Sequence, residues 1–124
     1  MTFIDTSVII DFLAGDEEII SAVKDLEKKG TIKTTTITEY ELLKHGNEIK
    51  REIAESFLEA ITVCSFDSAS AKQAALLFEK LTKNGTMINE SDLLIASITL
   101  AKGEGLLTRD KKFSYLKEPS IRII

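Results

Sequence analysis

Cysteine, histidine and tryptophan are almost or entirely missing from this sequence. It has one cysteine, one histidine and no tryptophan among 124 residues. Because one cysteine forms neither an internal disulfide nor a Cys-x-x-Cys site, we expect Cys64, close to the apolar residues Val63 and Phe66, to be a buried and inert thiol. The lone histidine, His45, precedes Gly46 where a helix should end, and a cation there stabilises the negative helix pole. Histidine-based catalysis and cysteine redox chemistry are therefore disfavoured.

The sequence also lacks a long apolar run and a linker. Its longest nearly apolar stretch, residues 93–101, is far shorter than the ~20 residues needed to span a bilayer. One proline and six glycines form no segment that would divide the chain. No basic side chain precedes Asp5, so we expect no signal peptide. We predict one domain over residues 1–124, located in the cytoplasm and not bound to a membrane.

Positive charge is not in excess. Lysine and arginine total 16 against 20 aspartates and glutamates, which gives a formal net charge of −4. Strong non-specific binding to nucleic acid depends on clustered lysine and arginine, so this balance by itself argues against it. Apolar residues make up 44% of the chain, which is enough for a hydrophobic core and argues against disorder.

Short apolar runs alternate with longer stretches of helical periodicity. The runs typical of strands are residues 2–4, 32–35, 61–64, 105–108 and 121–124. Between them apolar residues recur at helical spacing, and residues 92–102 are apolar almost all round, which is typical of a helix buried on two sides. Such alternation implies parallel strands joined by right-handed helical crossovers. We predict an α/β fold, a three-layer α/β/α sandwich around a central parallel five-stranded sheet.

Four carboxylates follow the predicted strands or open the helices beside them. They are Asp5, Glu39, Asp92 and Asp110. Each alone is compatible with a helix cap; Glu39 completes a capping box that starts at Thr36, whereas a box from Thr38 to Glu41 leaves Glu39 free. Because ligands bind beyond the carboxyl ends of parallel strands, we expect the four to converge. Their mutual repulsion favours a bound cation, and oxygen ligands suit Mg²⁺ or Mn²⁺.

Four segments carry a resemblance to a known family. They are FIDTSVIIDFL (3–13), TEYEL (38–42), SDLLIA (91–96) and LTRDKKF (107–113). In order and spacing they closely resemble the PIN domain, and the length of the chain is most similar to VapC-type toxins of toxin–antitoxin pairs. The resemblance implies a metal-dependent endoribonuclease, a hydrolase that cleaves single-stranded or looped RNA. It also implies a homodimer and inhibition by a small antitoxin protein.

The resemblance assigns roles to individual residues. Carried over position by position, it places the catalytic, metal-binding acids at Asp5, Glu39, Asp92 and Asp110, with Mg²⁺ or Mn²⁺ as the cofactor. Ser7 and Thr108 are the implied supporting hydroxyls, and Glu90 is an additional acid without an assigned role. A metal held there would activate water to attack phosphorus, leaving a 5′-phosphate and a 3′-hydroxyl.

Cations close in sequence to these acids are candidates to contact flanking phosphates. They are Lys44, Arg109, Lys111 and Lys112. With the four site acids set aside, sixteen acidic residues balance sixteen basic ones, so the remaining surface is neutral and the charge argument against RNA weakens.

The predicted helices also carry more apolar surface than so small a sheet needs. The residues concerned are Phe12, Leu13, Ile19, Ile20, Leu42 and Phe57. We expect them to form a groove for an amphipathic helix of the antitoxin.

Other kinds of acidic site fit the sequence less well. A phosphoacceptor receiver domain needs paired acids after the first strand, and a phosphatase of the Asp-x-Asp type needs a second acid where this chain has Ser7. The alternative that stays open is a PIN-like module that binds RNA or a protein partner without cleaving it.

Overall fold

Five strands build the sheet of the computed structural model, which describes residues 1–44 and 46–124. They are β1 (Thr2–Ile4), β2 (Ile32–Thr35), β3 (Thr62–Cys64), β4 (Gly105–Thr108) and β5 (Ile121–Ile123). The order is β3-β2-β1-β4-β5, and each neighbouring pair is parallel. The predicted five-stranded parallel sheet is thus confirmed, with β1 at its centre.

Six α-helices and one 3₁₀-helix cover the sheet in the described part of the chain. They are α1 (Thr6–Leu13), α2 (Glu17–Lys29), α3 (Thr36–Leu43), α4 (Glu48–Glu59), α5 (Ser68–Lys83), α6 (Glu90–Ala101) and the 3₁₀-helix (Lys111–Leu116). The prediction for His45 falls outside the described residues. No helix among residues 1–44 and 46–124 is long and apolar enough to cross a membrane.

Alternation along the central strands divides the core into two layers. Phe3 and Leu106 pack with α5, α6 and the 3₁₀-helix, whereas the next residues, Ile4 and Leu107, pack with helices α1 to α4. Successive side chains of a strand point to opposite faces, so each strand supplies both layers. This arrangement confirms the three-layer sandwich.

Burial corrects two expectations. Ile19 and Leu42, predicted to line an open groove, are 0% and 4% exposed and belong to the core. Cys64, predicted to be buried, is partly exposed and packs at the edge of the other core layer. The helix α6 behaves as its sequence predicts, because Ile95, Ala96 and Ile98 are each at most 1% exposed.

The start of α3 settles which capping arrangement the chain adopts. Thr35 is the N-cap, and its side-chain oxygen accepts the backbone N–H of Thr38 at 3.1 Å. The helix therefore begins at Thr36, and neither capping box predicted from the sequence forms. Glu39 lies in the first turn of α3 without completing a capping box.

Candidate active site

Asp5 lies at the carboxyl end of β1 and caps helix α1. Its side chain is nearly buried, with the residue only 3% exposed. The Oδ1 atom accepts the backbone N–H of Val8 at 3.2 Å and the Ser7 hydroxyl at 2.6 Å, and the Oδ2 atom accepts the Thr108 hydroxyl at 2.5 Å. Both oxygens are therefore fixed by donors that favour the charged form. Burial nevertheless outweighs these hydrogen bonds and raises the pKa of Asp5.

Two backbone amides orient the hydroxyls that hold Asp5. The N–H of Arg109 donates to Ser7 Oγ at 3.1 Å, and the N–H of Asp110 donates to Thr108 Oγ1 at 3.0 Å. Because each hydroxyl accepts from an amide behind it, its single proton is directed to Asp5. The structure thus places both predicted supporting hydroxyls on Asp5 and ties them to the turn after β4.

Asp92 and Asp110 approach each other beside Asp5. Asp92 lies in the first turn of α6, and Asp110 follows β4 and caps the 3₁₀-helix. The pKa of Asp92 is raised to about 7, first by burial and then by the charges of Asp110, Glu41 and Asp5. Three of the four predicted acids are therefore brought together, with Glu41 as a further neighbour.

Glu41 takes the place in this cluster that the sequence analysis assigned to Glu39. The Thr6 hydroxyl donates to Glu41 Oε1 at 2.6 Å, and the charge of Glu41 raises the pKa of Asp92. Glu39 instead lines a separate depression of about 260 Å³ with Leu43, Glu55, Leu58 and Glu59. Two positions along an α-helix lie about 200° apart around its axis, so both glutamates cannot face the cluster.

The helical phase of α3 explains why Glu41 and not Glu39 joins the cluster. Thr38 and Leu42 are four residues apart and are both buried, at 0% and 4% exposure. Glu41 is three residues after Thr38 and next to Leu42, so it lies beside the inward face of α3. The prediction that Glu39 joins the cluster is wrong because it relied on distance from the strand and not on helical phase.

Arg109 is engaged in ion pairs with three carboxylates. Its Nη1 atom contacts Asp11 at 3.1 Å and Asp16 at 2.9 Å, and its Nη2 atom contacts Glu18 at 3.1 Å. Asp16 and then Asp11 raise the pKa of Arg109, and Arg109 helps to lower the pKa of Asp16 after the larger effect of the Ile19 backbone N–H. The prediction that Arg109 binds phosphate is therefore corrected: it joins the turn after β4 to helices α1 and α2.

The other predicted cations stay accessible. Lys111 and Lys112 are exposed at the start of the 3₁₀-helix. Lys44 is also exposed, and its Nζ atom lies 5.4 Å from the centre of the Tyr40 ring. Glu90 is exposed at the first position of α6 and lines a different depression, beside Phe78 and Met87. It is not among the charges that shift Asp92.

The carboxylate oxygens of this cluster are the kind of ligand that a hard divalent cation prefers. Among residues 1–44 and 46–124, no three acidic, histidine or cysteine side chains are close enough together to hold an ion unaided. Mg²⁺, however, is usually bound through one or two carboxylates, with waters and substrate phosphates as its other ligands. A cation would also relieve the charge crowding that raises the pKa of Asp92.

Comparisons with known proteins agree with the fold and indicate the family. The family model described as PIN domain matches residues 2–119. Ribonuclease VapC3 of Methanocaldococcus jannaschii is 37% identical over 95 residues, covering 77% of this chain and 94% of that protein. Ribonuclease VapC1 of the same organism is 30% identical over 122 residues, covering 97% of this chain and 84% of that protein.

Solved structures give the same fold at lower identity. VapBC2 from Rickettsia felis, bound to a DNA fragment from its promoter, has a TM-score of 0.84 and 22% identity, and the match covers 99% of this chain and 96% of that chain. VapBC-1 from nontypeable Haemophilus influenzae has a TM-score of 0.84 and 21% identity, with 98% and 96% covered. From the family model and the sequence relatives together, the chain belongs to the PIN domain family.

Proposed function

We propose that this chain is a metal-dependent endoribonuclease of the VapC toxin type, which hydrolyses phosphodiester bonds of single-stranded or looped RNA. The observation that carries the proposal is the cluster of Asp5, Glu41, Asp92 and Asp110, in which burial and then the neighbouring charges raise the pKa of Asp92 to about 7. The two relatives named ribonuclease VapC support the assignment to RNA. The proposal includes a single domain over residues 1–124, a homodimer and a cytoplasmic location.

These four acids, together with waters and the substrate phosphate, would hold Mg²⁺ or Mn²⁺. Such an ion supplies an activated water and neutralises charge on the scissile phosphate. The protein's own contribution is to fix the ligands: Asp5 is held through both oxygens by Ser7 and Thr108. Asp92, with a pKa near 7, carries a proton in part of the metal-free molecules at neutral pH, and metal binding would release it.

Exposed cations near the cluster would contact the RNA backbone. Lys111 and Lys112 follow Asp110 directly, and Lys44, the C-cap of α3, is three residues after Glu41. Each phosphate contact adds affinity that weakens as salt concentration rises. Tyr40, 65% exposed beside Lys44, offers an aromatic face on which a base would stack.

The same proposal includes inhibition by an antitoxin helix. Phe12 and Phe57, both partly exposed, lie with ring centres 5.4 Å apart. Towards the N-terminus of α4, Ile53 and Ile49 are 49% and 70% exposed. An apolar surface between α1 and α4 suits the apolar face of an amphipathic helix. A structural neighbour, VapBC-5 from Mycobacterium tuberculosis, is a member of the VapBC family of toxin–antitoxin systems, which supports a partner of this type.

Cleavage of a labelled single-stranded RNA by the purified chain tests the central claim. We expect cleavage with Mg²⁺ or Mn²⁺, products with a 5′-phosphate, and no cleavage with excess chelator. Asp5→Asn keeps the shape of the side chain, removes its charge and should reduce the rate on the order of a hundredfold or more. Cleavage that persists in chelator would contradict metal dependence. RNA binding without cleavage under all conditions would favour the non-cleaving module.

A further inference from the structure

Thr6 makes the contact that holds Glu41 in the acidic cluster. Its Oγ1 atom lies 2.6 Å from Glu41 Oε1 and 3.1 Å from Thr38 Oγ1. Thr6 opens α1, whereas Thr38 and Glu41 belong to α3, so these bonds join two helices across the site. Thr38 is completely buried, and Thr6 and Glu41 are partly exposed.

The direction of the Thr6 hydroxyl proton follows from the number of donors. A threonine hydroxyl has one proton, and an ionised carboxylate only accepts hydrogen bonds. Thr6 therefore donates its proton to Glu41 and accepts the proton of Thr38. The result is a chain of two hydroxyls that starts at a fully buried residue and ends at the carboxylate.

Asp5, at the end of β1, is held by the same kind of arrangement. At Asp5, the hydroxyl oxygens of Ser7 and Thr108 each accept a hydrogen bond from a backbone N–H. Each hydroxyl donates its own proton to a carboxylate oxygen of Asp5. At Glu41, the Thr6 hydroxyl accepts its hydrogen bond from the Thr38 hydroxyl instead of from a backbone amide. Each of the three hydroxyls is thus oriented by the hydrogen bond that its oxygen accepts, so its proton points to an acid of the cluster.

Glu41 needs such an anchor more than the aspartates do. A glutamate has one more rotatable bond than an aspartate, and ordering a long side chain on a helix surface costs conformational entropy. The Thr6 hydroxyl is the one hydrogen-bond donor that the described residues give to Glu41. Glu41 also lies in the middle of α3 and, unlike Asp5 and Asp110, does not cap a helix.

We propose that Thr6 is a positioning residue, which holds Glu41 in the orientation that receives the divalent cation. This inference rests on the proposed function, in which Glu41 is one of the acids that bind the ion. Thr6 itself touches neither the ion nor the RNA; it acts through Glu41. Groups that orient a metal ligand in this way typically change metal affinity by about 10–100-fold when they are removed.

Calorimetric titration of the purified chain with Mn²⁺ measures this effect without relying on cleavage. Thr6→Val, which keeps the shape and removes the hydroxyl, should weaken Mn²⁺ binding about tenfold. Thr6→Ser keeps the hydroxyl and should bind Mn²⁺ within about threefold of the native chain. Thr82→Val, a change of the same kind at an exposed position of α5, is the matched control and should leave binding unchanged.

The variants separate failure of this inference from failure of the proposed function. If Glu41→Gln weakens Mn²⁺ binding while Thr6→Val binds like the native chain, the role of Thr6 is overturned and the metal site stands. If Thr6→Val and Thr6→Ser are equally weak, packing and not the hydroxyl is responsible, which also overturns it. If Glu41→Gln and Asp5→Asn both bind Mn²⁺ normally, the proposed function fails.

A second variant covers the case in which Thr6→Val does not fold. Thr38→Val removes the donor behind Thr6 and leaves Thr6 and Glu41 in place. It should weaken Mn²⁺ binding in the same direction as Thr6→Val but by a smaller factor. Unchanged Mn²⁺ binding by a folded Thr38→Val, judged by its circular dichroism spectrum, would contradict the two-hydroxyl chain.

Discussion

The Thr108 hydroxyl donates to Asp5 Oδ2 at 2.5 Å, although the two residues are 103 positions apart in the chain. The contact joins the ends of β1 and β4, which are hydrogen-bonded neighbours at the centre of the sheet. Because Thr108 also accepts the Asp110 amide at 3.0 Å, it fixes Asp5 and the turn that carries Asp110 together. The relative position of these two acids is therefore set by the rigid centre of the sheet.

Substitution of the two neighbouring glutamates of α3 should have very different effects on RNA cleavage. Glu41→Gln removes a charge from the acidic cluster and should reduce the cleavage rate on the order of a hundredfold. Glu39→Gln is the matched control, since Glu39 lines a separate depression, and its rate should stay within about twofold. Initial rates at a fixed Mn²⁺ concentration measure both. Loss of activity in Glu39→Gln alone would reverse the assignment.

The stability of the metal-free chain should depend on pH through Asp92. The pKa of Asp92 is raised to about 7 in the folded state, so the folded chain holds this proton more tightly than the unfolded chain does. Ionisation of Asp92 therefore lowers the free energy of unfolding as pH rises from about 4 to about 7, and the full decrease is present above pH 7. Asp92→Asn lacks this cost and should unfold at a higher denaturant concentration than the native chain at pH 8.

Urea unfolding in chelator at pH 5 and pH 8 checks this expectation. Since Asp92 is partly exposed, solvent screening reduces the gain to on the order of 1 kcal/mol at pH 8, and it should be smaller at pH 5. Glu90→Gln, in the same helical turn but exposed, is the control and should show no such pH dependence. Adding Mn²⁺ should reverse the ranking, because the native chain gains binding energy that the variant lacks.

Lysines and not Arg109 should carry the electrostatic part of RNA binding. Substitution of both Lys111 and Lys112 by neutral residues should make RNA binding less dependent on salt. The slope of log RNA affinity against log salt concentration should become less steep by about one unit for each phosphate that is no longer neutralised. Arg109→Gln should leave that slope unchanged, since the guanidinium is already paired with Asp11, Asp16 and Glu18. Fluorescence anisotropy with a non-cleaved RNA analogue measures the slope. A less steep slope for Arg109→Gln would show instead that Arg109 contacts the RNA.

A charge on the exposed face of α4 should block the antitoxin without unfolding the chain. Ile53 is 49% exposed, so Ile53→Glu removes little from the core and places a carboxylate in the proposed helix groove. We expect affinity for the antitoxin to fall at least tenfold, a loss of about 1.4 kcal/mol. Leu76→Glu, at a 62% exposed site on α5, is the control. Equal binding by both variants would place the antitoxin on another surface.

The sequence by itself determined the fold and three of the four acids. Each strand end is a local feature, because an apolar run stops and a capping residue follows, and the carboxyl ends of parallel strands share one edge of the sheet. Asp5 and Asp110 follow β1 and β4 in this way, and Asp92 lies in the first turn of α6, which leads into β4. Local order was therefore sufficient to predict that they would meet.

Only the tertiary structure decided which glutamate joins them and what the arginine does. Glu39 and Glu41 lie four and six residues after the end of β2, and the rotation of α3 against the sheet selects Glu41 through its contact with Thr6, 35 positions away. Arg109 meets Asp11 and Asp16, 98 and 93 positions away. Such partners are fixed by packing between distant segments, and no pattern of neighbouring residues records them.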